Sequence, residues 1–180
     1  LRLAVTPSIA TAILPPVIFQ FTQKFPKVQV DIRDMDSTAI TRELIRERAD
    51  IGIGSLGLID GMTRRELFSD AFGVVCRRDH PLAQNWDQLT WRDMHDHVLI
   101  ANGLCDLITD EDFAPILARS HLRVPNTTSL LGLVRAGVGI TVLPRLVVTG
   151  ASDEITFLPL KDVTVRRSVQ MVSQPINLLM

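Results

Sequence analysis

Short apolar runs alternate along the chain with stretches of helical periodicity. Leu1 to Val5 reads as a buried strand, and after Thr6-Pro7-Ser8 a helical stretch sets Ile9 and Ile13 on one face. Leu14, Val17, Ile18, Phe21 and Phe25 mark a second face at the same spacing, and Pro15 and Pro16 predict a kink or a restart between them. One apolar face can cover a sheet, which leaves the other for a partner. Val28, Val30 and Ile32 alternate with Gln29, Asp31 and Arg33 as in a half-exposed strand. Thr38 to Arg48 is amphipathic, with Ile40, Leu44 and Ile45 inward and Arg42, Arg46 and Arg48 reading as a solvated face. Ile51 to Gly54 predicts a third strand and Phe72 to Arg78 a fourth, closed by the turn Asp79-His80-Pro81-Leu82.

A second unit is predicted from there. Leu89 to Asp93 reads as a short helix, Val98 to Ala101 as a strand, and Asp110 to Ser120 as a helix with acidic residues in its first turn. Asn126 is placed as the N-cap of a helix over Thr127 to Ala136 that ends at Gly137. Ile140 to Leu143 follows as a strand, Pro144 to Val148 as a helical turn, and 155–160 and 165–172 as extended segments. This alternation predicts an α/β fold built on mostly parallel sheets, with no internal repeat.

Composition narrows the function. The 180 residues are 46% hydrophobic and 22% charged, which excludes a disordered chain. Nineteen basic against twenty acidic residues give a formal charge of -1, without the basic excess that a phosphate backbone requires. No stretch reaches the roughly 20 apolar residues of a membrane span, and no signal peptide pattern opens the chain. The first residues already read as a strand and carry no methionine, so an N-terminal portion is expected ahead of Leu1. Cys76 and Cys105 form no CxxC, which fits a reducing, cytoplasmic setting better than a disulfide scaffold or a zinc site.

Local motifs are weak. Gly52-Ile53-Gly54-Ser55-Leu56-Gly57 matches GxGxxG, but two of its glycines fall inside a strand and no good helix follows, so a nucleotide site is not expected. His95 and His97 flank Asp96 without a third ligand, and neither a nucleophile elbow nor an acid/base pair is evident. No enzyme activity, metal or cofactor is therefore predicted. What stands out is polar punctuation after the strands: Thr6 and Ser8, Asp36-Ser37-Thr38, Ser55, and Asn102-Gly103. In open α/β sheets ligands bind outside the carboxyl ends of strands, and hydroxyls and amides there suit a small carboxylate or sulfonate.

The segments LRLAVTPSIATAILPPVIFQFTQKFP, VQVDIRDMDSTAITRELIRERADIGIG, FGVVCRRDHPLA and LLGLVRAGVGITVLP occur in that order over nearly the whole chain. Together they resemble the effector-binding domain of LysR-type bacterial transcriptional regulators, a two-lobed module of the periplasmic-binding-protein type. The resemblance implies a first lobe of 1–73 plus 154–180, a second of 74–153, two crossover strands, and an effector in the interlobe cleft, for which the hydroxyls and amides after the strands suit a small anion. Carried over position by position, it implies ligand contacts at Thr6, Ser8, Ser37, Ser55, Asn102 and Gly103, with Thr128 as a further candidate. It also implies a homodimer or tetramer through Leu14, Val17, Ile18, Phe21 and the Thr127–Ala136 helix, and DNA binding only through an N-terminal winged helix-turn-helix domain outside this chain. Two departures stand out: the connection from Leu122 to Asn126 leaves no room for the usual strand, and the chain stops at Met180, where the family usually adds a helix. Cys105 falls where the peroxide-sensing branch carries a reactive cysteine, but position 114 is Ala and no resolving partner follows, so a buried structural thiol is expected. A periplasmic solute-binding protein of a transport system is the alternative reading.

Overall fold

The computed structural model describes residues 1–161 and 164–175. In chain order its strands are β1 (Arg2–Val5), β2 (Asp31–Asp34), β3 (Ile51–Gly54), β4 (Thr63–Arg77), β5 (Ile100–Ala101), β6 (Leu122–Arg123), β7 (Thr141–Pro144), β8 (Ile155–Pro159) and β9 (Arg166–Ser173). The α-helices are α1 (Pro7–Ala12), α2 (Leu14–Lys24), α3 (Ser37–Ile45), α4 (Ala114–Ala118) and α5 (Thr127–Arg135). The chain divides into two compact units, Leu1–Ser69 with Ser168–Met180, and Asp70–Arg167. Both boundaries fall inside strands, β4 and β9, whereas the expected first lobe ran over 1–73 and 154–180. Residues 162–163 and 176–180 of the expected first lobe lie outside the described residues.

In the first unit, β1 pairs in parallel with β2 and β3, with Val5 opposite both Asp34 and Ile53. β9 closes the ladder antiparallel to β3, with Gly52 opposite Val172. The helical stretch after β1 breaks at Ile13, and the two prolines sit in the first turn of α2, where their missing N–H groups have no intrahelical partner to lose. β2 starts at Asp31 rather than Val28, leaving Val28 and Ile32 exposed. Ala4, Ile40, Leu44, Ala49, Leu56 and Val172 form the core of this unit. A Cβ on Gly52 would stand 2.6 Å from Leu44 Cδ1 and 2.8 Å from Ile40 Cγ2, so the strand glycines let α3 lie directly on β3.

The second unit departs from the parallel expectation. β7 and β8 each pair with β4 antiparallel, and among the described residues parallel pairing is confined to the short β5–β6 ladder and a bridge between Leu99 and Ile140. Its strands are buried on both faces: Val74, Cys76 and Val142 enter a core with Trp91, Met94 and Phe113. Val75 and Leu143, pointing the other way along the pleat, enter a second core with Leu130 and Val134 of α5. Two further expectations are corrected. The connection before α5 does contain a strand, β6, because two residues suffice to pair with β5. The helix expected over 110–120 is only α4, since the side chain of Asp110 takes the Asp112 N–H at 2.9 Å in a turn ahead of it.

A buried ion pair lies at the point where the strands leave this unit. The Arg167 guanidinium donates to Asp70 Oδ2 at 3.3 Å, with side-chain exposures of 2% and 11%, and the Leu146 N–H donates to the same oxygen at 2.9 Å. Burial lowers the Arg167 pKa, against the attraction of Asp70.

Candidate functional site

The polar residues that punctuate the first unit's strands converge at one edge. The Thr6 N–H donates to Ile53 O at 3.0 Å and the Met35 N–H to Val5 O at 2.9 Å, which aligns the carboxyl ends of β1, β2 and β3. A Cβ on Gly54 would stand 2.8 Å from Thr6 Cγ2 and 3.4 Å from Ser37 Oγ, so Thr6, Ser37 and Gly54 meet. Thr6 precedes α1 but makes no side-chain cap, and both Thr6 Oγ1 and Ser55 Oγ are buried with no hydrogen-bond partner among the described residues. Leaving a buried hydroxyl unsatisfied costs about 1–3 kcal/mol, so two at one sheet edge mark a place where a polar ligand gains hydrogen bonds. Ser8 is buried within α1. Ser37 is half-buried, and the Asp36 carboxylate beside it accepts from Ala39 N at 2.8 Å, capping α3.

Residues beyond the sequence reading hold this edge in place. Gln170 is buried on β9 and accepts from the Leu56 N–H at 3.0 Å, fixing the backbone just after Ser55. Its Nε2 donates to Ser168 Oγ at 2.7 Å, and Ser168 Oγ donates to Glu66 Oε1 at 2.8 Å. The one sequence signal is a glutamine among apolar residues at 169–172, and strand periodicity alone does not show that it faces inward.

The second unit presents its candidates differently. Asn102 is buried, and its amide donates to Thr141 Oγ1 and Val142 O, both at 3.1 Å, while Oδ1 accepts from Leu104 N at 2.9 Å. Both amide hydrogens are thus taken up in holding the turn after β5, and Asn102 positions Gly103 rather than reaching outward. Gly103 is exposed, and a Cβ there would meet no atom within 4 Å. Thr128 is exposed in the first turn of α5, which Asn126 caps by accepting from Ser129 N at 3.0 Å. On the face assigned to a partner, Val17 and Phe25 are 52% and 42% exposed, whereas Leu14 is 5% exposed and belongs to the interior of its unit.

The remaining chemistry is structural. Cys105 is fully buried, and burial pushes its thiol up to about 11; Cys76 is likewise pushed up to about 11. Such thiols carry almost no thiolate at neutral pH. His80 and His97 pack edge to face with ring centroids 4.7 Å apart, and His80 Nδ1 accepts from the Leu82 N–H at 3.3 Å. Among the described residues no three His, Cys, Asp or Glu side chains gather as a metal site, and no helix is long and apolar enough to cross a membrane.

The family model for the LysR substrate binding domain matches residues 1–176. The uncharacterized HTH-type transcriptional regulator YbhD of Escherichia coli strain K12 is 26% identical over 177 residues, covering 94% of this chain and 56% of that protein. Among solved structures, the effector binding domain of QuiR in complex with shikimate superposes with a TM-score of 0.79 at 21% identity, covering 97% of this chain and 87% of that one. The effector binding domain of BenM, a regulator of Acinetobacter baylyi, with its effector benzoate gives 0.75 at 23% identity, covering 98% and 83%. At these identities the structural matches establish the fold. The chain spans about half the length of the curated relatives it matches.

Proposed function

Because the chain belongs to the LysR substrate-binding domain family, we propose that it is the sensing and dimerising part of a LysR-type transcriptional regulator whose effector is a small anion. The observation that carries the reading is the pair of buried hydroxyls, Thr6 Oγ1 and Ser55 Oγ, without a partner among the described residues at one sheet edge. Thr6, Ser8, Ser37 and Ser55 are the effector contacts proposed for the first unit. Gly103 and Thr128 are those of the second, with Asn102 holding the Gly103 turn. The model matched is that of a regulator family, which favours this reading over a transport protein and over an enzyme. Benzoate, named as the effector of BenM, and shikimate, in complex with the QuiR domain, are both small carboxylates and support an anionic ligand here.

An effector that binds one arrangement of the chain more tightly shifts the population toward it, and a DNA-binding segment outside this chain would read the shift. Relatives named as HTH-type regulators, about twice as long as the matched region, support such a segment and a cytoplasmic setting. Dimerisation is assigned to Val17, Ile18 and Phe21 of α2 together with α5, without Leu14.

The test is a thermal-shift screen of the 180-residue chain against small carboxylates and sulfonates, because a ligand of the native state alone raises the melting temperature. Thr6→Val and Ser8→Ala should each weaken the best ligand by about tenfold. Full affinity in both variants overturns the first-unit assignment.

A further inference from the structure

The second unit contains a cavity of about 310 Å³ that shares no residue with the effector contacts proposed above. It lies where β4 ends beside the start of β8: Arg77 is opposite Ile155 in the ladder, and the Arg78 N–H donates to Glu154 O at 2.9 Å. The short helical turn after β7, Arg145–Val148, and the loop that follows it complete the wall.

Two arginines, Arg78 and Arg145, both exposed, line this open pocket, and among the described residues neither forms an ion pair. Neighbouring Arg77 differs, since its guanidinium is held by Asp79. The Arg145 guanidinium carbon instead lies 5.4 Å from the centroid of the Phe157 ring, within cation–π range. The ring itself lies over bare backbone, because a Cβ on Gly73 would come within 2.4 Å of Phe157 Cζ. Thr149, Ser152 and Thr156 add hydroxyls. Asp153 also lines the cavity, so the lining residues carry two positive charges and one carboxylate.

That combination selects a chemistry. Guanidinium forks match the oxygens of a phosphate group. The Asp153 carboxylate would repel a bare anion but can accept from a hydroxyl of a ligand whose phosphate sits on the arginines. The volume lies at the lower end of small-molecule sites, about 300–1,000 Å³, which fits a compact molecule better than a nucleotide.

We propose that the cavity walled by Arg78, Arg145 and Asp153 is a binding site for a small phosphorylated polyol. Such a ligand is a second input to the domain. The site stands or falls separately from the effector reading, because its residues are different ones.

The test is titration of the 180-residue chain with glycerol 3-phosphate, followed by phosphorus NMR and by calorimetry at fixed ionic strength, with inorganic phosphate as the second probe. Arg145→Gln and Arg78→Gln should each weaken glycerol 3-phosphate by about tenfold or more, the loss of one charge-assisted contact. Asp153→Asn should weaken glycerol 3-phosphate yet tighten inorganic phosphate, a reversal that general disruption of the loop would not produce. Thr6→Val should leave both affinities unchanged. Circular dichroism of each variant verifies folding. No saturable binding up to on the order of 10 mM, arginine variants within twofold of the parent, or equal loss in Thr6→Val would overturn the proposal.

Discussion

Replacing Asp70 with Asn deletes the charge opposite Arg167 while keeping an acceptor for the Leu146 N–H. Removing one partner of a buried ion pair costs about 3–5 kcal/mol, because the remaining charge stays buried and loses that counter-charge. The Arg167 side chain is 2% exposed, and its pKa is already lowered by burial with Asp70 in place, so little solvent is at hand to take over. The contact itself is 3.3 Å, longer than a good charge-assisted bond, and Asp70 is 11% exposed. Both reduce the loss, which we put at about 2–3 kcal/mol. Both tryptophans, Trp86 and Trp91, belong to the second unit, so urea unfolding followed by tryptophan fluorescence reports on it. With an m-value of about 2 kcal/mol per M, the midpoint should fall by about 1–1.5 M. Arg167→Met in the Asp70→Asn background should recover most of the loss, since an apolar side chain of similar length needs no counter-charge. A single-variant midpoint within about 0.2 M of the parent, or a double variant no better than the single, would refute the reasoning.

Gly52→Ala should cost about 1–3 kcal/mol by forcing α3 away from β3, read as a urea midpoint shift, because its Cβ would overlap Leu44 and Ile40. His80 has its pKa lowered by burial and then by His97, partly offset by Asp79. The unfolded chain therefore binds the proton more readily, and stability present above the ordinary histidine pKa of about 6.5 is lost as pH falls through the lower folded value. His80→Gln should flatten the melting temperature between pH 7 and pH 5. Cys105, raised to about 11 by burial, should react with an aromatic disulfide only on unfolding; rapid modification of the native chain at pH 8 would contradict its burial.

Sequence and structure divide the account along a physical line. Periodicity and caps are local, and they located β3, the helix restart at the proline pair, the Asn126 cap and the end of α5 before Gly137. The family segments likewise marked the two-lobed α/β architecture and the polar ends of the strands. Long-range pairing has no local signal. The antiparallel ladders on both sides of β4, the position of the unit boundaries inside β4 and β9, and the two-residue β6 follow from which strands meet across the sheet. The same holds for side-chain roles. A hydroxyl after a strand reads alike whether it is satisfied or not, and only packing left Thr6 Oγ1 and Ser55 Oγ buried without partners among the described residues while taking up the Asn102 amide. Leu14 shared a helical face with Val17 and Phe21 by spacing, yet tertiary burial took it into the interior, because the curvature of a unit rather than the periodicity of one helix decides where an apolar stripe meets solvent.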